Sequence, residues 1–179
     1  MKKYISFTSR ALIAAIAVAG LCLVANATAA DETKTSTESK LSANDKKFVK
    51  KAYKGGMTEV EIAKTAKEKA KNDATKDVAE HMITDHGKAN DRLMEIAKEE
   101  NLDLSKVTAK PAKMTGDDFD KEYLTMLKKD HETTIAMFEK EANDAGAKED
   151  SDVVKFAKDT LPTLKDHLKM VEDALGKMK

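Results

Sequence analysis

Cysteine is nearly missing from this sequence: Cys22 is the only one in 179 residues. A lone cysteine closes no intramolecular disulfide and builds no thiolate metal cluster. Tryptophan is absent and aromatics reach only 4%. With no basic block beside them, they leave no stacking or electrostatic footprint for nucleic acid. Only two prolines, Pro111 and Pro162, interrupt the chain. No Val/Ile/Thr run alternates as a half-buried strand would. Lys and Arg total 32, as do Asp and Glu, so neither sign dominates. Beyond the first thirty residues, no apolar run is long enough to span a bilayer.

Those thirty residues have their own character. Lys2, Lys3 and Arg10 make a basic start, Ala11 to Val24 is apolar, and Ala27-Thr28-Ala29 offers a small-residue cleavage site. Together they predict a secretory signal peptide over residues 1–30 and a periplasmic or secreted protein. Leu21, before Cys22, is too large for a lipoprotein signal, so no lipid anchor is expected. Without the leader's three basic residues, 29 Lys and Arg face 32 Asp and Glu, a net charge of −3. The expected product has no membrane span, no nucleic-acid partner and no disulfide. Its protein partner and oligomeric state are left open. Residues 31–43 begin with a Thr/Ser/Lys/Glu tract and read as a flexible linker.

What the chain does have is helix formers: Ala, Lys, Glu, Leu and Met dominate. Order should begin near Ser42, where Ser42-Ala43-Asn44-Asp45 resembles a capping sequence. Four amphipathic stretches follow, roughly 45–71, 74–100, 117–145 and 151–178. Gly55-Gly56 is expected to kink the first or to allow close packing, Pro162 to bend the fourth, and Gly146 to end the third. The prediction is all-α: an antiparallel four-helix bundle over residues 44–179. The longer segment from Asn101 to Gly116 is expected to reach sideways along one end of the bundle.

Three of the four histidines directly follow an aspartate: Asp85-His86, Asp130-His131 and Asp166-His167. At about 100° per residue, His86 falls roughly 30° from the centre of its apolar stripe and Asp85 roughly 70° away. Asp130 and His131 straddle theirs, His167 lies roughly 60° off, and Asp166 and His81 point outward. Glu59 sits within the apolar stripe of the first helix, where a carboxylate is costly unless paired. Counted from the turns, Glu59 and His86 should meet at one level of an antiparallel hairpin, as should His131 and His167.

Two readings follow for this layer. One is a metal site built from Glu59, His86, His131, His167, Asp85 and Asp130, with the aspartates inclined to orient imidazoles rather than ligate. Such a donor set suits a divalent transition metal such as Zn, Fe, Mn or Cu. The other is a metal-free buried hydrogen-bond network. A di-iron centre of the usual kind is disfavoured, because Ile83, Lys128 and Leu164 stand three residues before the histidines where glutamate is required. Met57, Met82, Met126 and Met137 would help copper, although Met at helical spacing also fills cores. No catalytic residue is assigned: no serine sits in an elbow context, and a closed bundle should offer no cleft.

The motifs carry a resemblance. Phe48-Val49 with Gly55-Gly56-Met57-Thr58-Glu59-Val60-Glu61, then Asp85-His86-Gly87-Lys88-Ala89-Asn90, then Phe119-Asp120-Lys121-Glu122-Tyr123-Leu124 with Asp130-His131, then Leu161-Pro162-Thr163-Leu164-Lys165-Asp166-His167-Leu168 resemble, in order, the motifs of the DUF4142 family. The resemblance implies an exported, ferritin-like four-helix fold and marks Glu59, Asp85, His86, Asp130, His131, Pro162 and His167. It implies no particular reaction. The expected role is metal binding in envelope stress or metal handling. The alternatives are a non-catalytic interaction or chaperone-like module and, more remotely, a redox enzyme acting on peroxide or oxygen.

Overall fold

The computed structural model describes residues 39–114, 116, 118–144 and 151–178, all within the compact unit Ser36–Lys179. The expected signal peptide and most of the expected linker lie outside the described residues, as does Gly146. Four helices form: α1 (Ala43–Lys69), α2 (Asp73–Glu99), α3 (Phe119–Ala142) and α4 (Asp152–Gly176).

Local chemistry sets their ends. Ser42 caps α1 in a reciprocal capping box with Asp45, as its sequence predicts. Asn72 caps α2 through Ala74 N–H, and Asp118 caps α3 through Lys121 N–H. After α2, Asn101 takes a φ of 53°, a left-handed conformation that asparagine tolerates, and Leu102 N–H reaches back to the Ala97 carbonyl. α1 runs unbroken through Gly55-Gly56, and α4 through Pro162.

The apolar stripes pack into two cores. One gathers Phe48, Leu93, Ile96, Phe138, Val153 and Phe156; the other gathers Ile62, Met82, Tyr123, Leu124, Leu127 and Val171. On every helix the predicted polar residue falls between its contributions to the two. Glu59, His86, His131 and His167 therefore form one layer separating two hydrophobic halves.

The α2–α3 connection corrects an expectation. It does not travel sideways at one end but runs the length of the bundle. Leu102 and Leu104 pack on the Phe48 core, Lys110 N–H donates to Thr58 Oγ1 midway along α1, and Met114 packs on the Met82 core. At the far end, Asp120 accepts the N–H groups of Lys71 and Asn72 in the α1–α2 turn. α2 and α3 therefore run parallel on one diagonal. Each packed pair, α1 with α2, α3 with α4, α2 with α4 and α1 with α3, is antiparallel. One lengthwise crossover with antiparallel neighbours is the ferritin-like arrangement.

Candidate metal centre

Each helix contributes one side chain to the layer. Glu59 Oε2 lies 2.9 Å from His86 Nε2 and 3.8 Å from His131 Nε2. His131 Nε2 lies 3.4 Å from His167 Nδ1, and His167 Nε2 lies 3.2 Å from Asp85 Oδ2. The matched heights predicted for Glu59 and His86, and for His131 and His167, are therefore seen. The three rings form a closed triangle with centroids 5.3–5.6 Å apart. One nitrogen from each of His86, His131 and His167 falls within 4.8 Å of the others.

The hydrogen bonds decide the tautomers. His131 Nδ1 sits 3.0 Å from the Leu127 carbonyl, which only accepts, so Nδ1 carries hydrogen. His167 Nε2 faces the Asp85 carboxylate and likewise carries hydrogen. Neutral His131 and His167 thus point two lone pairs at each other across 3.4 Å, with no hydrogen left to place between them. A proton or another cation placed there would relieve the repulsion. Burial opposes the proton: it is the largest influence on both rings, lowering the pKa of His131 and pushing that of His167 down to about 4.

His86 and Glu59 carry the charge. Burial opposes ionisation of both most strongly, but each outweighs it for the other, so the His86 pKa is raised and the Glu59 pKa lowered. They form a buried ion pair by distance. Their 2.9 Å approach is off the axis of a Nε2–H donor, however, so Glu59 Oε2 and His86 Nε2 lack a directed hydrogen bond. The same approach is compatible with two ligands beside each other on an ion. With metal–nitrogen bonds near 2.0–2.1 Å, tetrahedral neighbours stand about 3.4 Å apart.

Not every predicted residue joins the cluster. Asp85 holds His167, from α4, rather than its neighbour His86, so it orients an imidazole as expected. Asp130 is exposed on α3 and makes no hydrogen bond or ion pair among the described residues. Partial burial of its carboxyl and the charge of Glu59 raise its pKa. His81 and Asp166 are exposed, as predicted. Met82 is core packing, whereas Met137 lines the cavity described next.

The expectation of a closed bundle is wrong. A cavity of about 380 Å³ reaches Glu59 and His86 from the surface. Its room comes from small residues, Ala52, Gly55, Gly56 and Ala89, facing Phe138 and Phe156. Two further groups were not foreseen. Asn90 is buried against Gly56, and the buried Tyr123 hydroxyl has no hydrogen-bond partner among the described residues, its pKa raised by burial and then by Glu59. The signal for Asn90 was its position, one helical turn beyond His86 on the same face.

A family model described as a domain of unknown function, DUF4142, matches residues 26–174. The chain belongs to the DUF4142 family. No curated protein and no solved structure matches it. In this DUF4142 chain, the motifs set out above place Glu59, His86, His131 and His167 in one layer and Asp85 beside His167. Among the described residues, no helix is long and apolar enough to cross a membrane.

Proposed function

We propose that this protein binds one divalent transition-metal ion at mid-bundle, with His86, His131 and His167 as nitrogen donors and Glu59 as the anionic donor. The observation that carries the reading is the pair of lone pairs on His131 Nε2 and His167 Nδ1, facing each other at 3.4 Å. Each ring is fixed from behind, His131 by the Leu127 carbonyl and His167 by Asp85, as ligating imidazoles usually are. Three imidazoles and a carboxylate suit Zn, Fe, Mn or Cu. Asp130 is a rim residue in this reading rather than a donor. The setting is metal handling or envelope stress after export, which rests on the leader-like first thirty residues.

A metal-free polar network in a non-catalytic interaction module is the second reading. It is favoured by the Glu59–His86 ion pair, which compensates its own charge. Metal analysis of untagged protein separates the two, with melting curves recorded in Zn, Cu, Fe and Mn. The metal reading expects about one ion per chain, a raised melting temperature, and neither effect in a His86→Ala/His131→Ala variant. Absence of co-purified metal, with no melting shift from any of the four ions, overturns it.

A further inference from the structure

The cavity above Glu59 has a chemistry of its own. Phe138, Phe156, Leu93, Leu164 and Met137 give it an apolar wall, and the exposed Lys51, Lys54 and Lys110 also line it. Two of the rings, Phe138 and Phe156, stand 5.9 Å apart at their centroids. At its floor, Glu59 Oε2 and Asn90 Oδ1 are buried oxygens without a hydrogen-bond partner among the described residues. Both residues are more than nine-tenths buried, at 6% and 8% exposure. Asn90 Oδ1 has no donor among the described residues, and a buried acceptor left so costs roughly 1–3 kcal/mol; Glu59 Oε2 has only the off-axis approach of His86 Nε2 at 2.9 Å.

We propose that this cavity binds a small, neutral, ring-sized amphipathic molecule, a phenol or aromatic alcohol, whose hydroxyl donates to the acceptors at the floor. The floor selects the head group. It offers acceptors, so a hydrocarbon or an ether leaves them unpaired, and buried groups left unpaired reject such analogues strongly. Lys51, Lys54 and Lys110 line the cavity along with Glu59 and Asp130, so a carboxylate is disfavoured at the floor rather than at the mouth: it brings no hydrogen to the acceptors Glu59 Oε2 and Asn90 Oδ1. The walls select the body, because a flat ring packs against phenylalanine side chains better than a chain of polar atoms does. A volume of about 380 Å³ is within the range of small-molecule sites and admits one fused bicyclic ring system. This goes beyond metal binding and does not require it: Glu59 and His86 are shared with the proposed metal site, but Asn90 Oδ1 and the phenylalanine wall are not.

Calorimetric titration of the whole protein with naphthol, its methyl ether and naphthoate tests the proposal. It is run on native protein and on His131→Ala, in which metal binding is impaired while the cavity wall is kept. Naphthol is expected to bind both, with the ether and the carboxylate at least about tenfold weaker, a difference of one decade in Kd. Asn90→Leu keeps the branched shape against Gly56 and removes an acceptor, so it should narrow the gap between naphthol and its ether. Thr134→Phe, which places a ring in the cavity, should abolish binding, with helical content checked by circular dichroism. Should that variant not fold, the Asn90→Leu comparison decides. Equal affinity for naphthol and its ether in native protein, or undiminished binding by folded Thr134→Phe, overturns the proposal. Ligand binding by His131→Ala without metal, or metal binding without naphthol affinity, tells failure of one reading from failure of the other.

Discussion

A pair of buried acidic groups lies apart from the histidines and shows how burial tunes single residues. Asp45 near the start of α1 and Glu141 near the end of α3 each keep one carboxyl oxygen buried without a donor. The two carboxyl groups are within hydrogen-bond reach of each other, and a proton on Glu141 supplies the donor that such a bond needs. Burial, then the hydrogen bond and charge of Asp45, push the Glu141 pKa from its ordinary 4.5 up to about 7. Because the folded-state value is raised, this proton stabilises the fold fully below about pH 4.5, and the contribution is lost as pH rises through about 7. Glu141→Gln donates without titrating. It should raise the melting temperature at alkaline pH, by the equivalent of about 1–3 kcal/mol, and flatten the melting profile across that window. An unchanged profile in the variant would show that no proton is shared. At the mid-bundle layer the same physics acts with different partners. Glu59 was legible in the sequence as a carboxylate inside an apolar stripe, and its pairing with His86 followed from equal distances to the turn. Which oxygen meets which nitrogen, and that Asp85 serves His167 instead of His86, depended on helix rotation that spacing alone does not supply.

Among the elements, α1 is the most specialised. Its two glycines differ sharply in what surrounds them. A Cβ on Gly55 meets nothing within 4 Å, whereas a Cβ on Gly56 would stand 2.3 Å from Asn90 Oδ1. Gly55→Ala should therefore stabilise the protein by about 0.5–1 kcal/mol, through helix propensity and a less disordered unfolded chain. Gly56→Ala must displace a buried asparagine and should destabilise it or gain nothing. Chemical denaturation of both variants measures the contrast, and equal effects would contradict the close Gly56–Asn90 approach. The Gly55-Gly56 pair was readable as a kink or a close contact; the structure selects the contact. α1 also carries Lys46, Lys47, Lys50, Lys51 and Lys54, which line a shallow groove together with Lys106 of the crossover. In the linear sequence these lysines are interleaved with apolar residues, and a block count passes over them. Only helical periodicity and a loop from elsewhere bring them together.

At the scale of the whole molecule, the lengthwise crossover makes the fold. It places α3 parallel to α2, so that all packed neighbours are antiparallel and all four helices can deliver one polar side chain to the same level. Asp120 secures its far end by accepting two backbone N–H groups of the α1–α2 turn, at 3.0 and 2.9 Å. Burial raises its pKa most strongly as a single influence, yet these bonds leave it lowered, so its stabilisation is present at neutral pH and lost in acid as pH falls through the folded value. Asp120→Ala leaves both donors unpaired and should cost roughly 2–4 kcal/mol in urea unfolding at neutral pH. A loss under about half a kcal/mol would mean that the turn is held by other contacts.

The sequence by itself determined helix content, the approximate helix spans and the inward polar set. Those depend on propensity and on the 3.6-residue period, which are properties of short stretches. It also excluded an intramolecular disulfide and a thiolate metal cluster, since Cys22 is the only cysteine. Tertiary structure decided the rest: the direction of the crossover, the pairing of Asp85 with His167, the cavity beside Gly55 and Gly56, and the two lone pairs that face each other between His131 and His167. Each of these depends on the rotation and offset of one helix against another. Packing of side chains distant in sequence sets those quantities, and no local pattern along the chain encodes them.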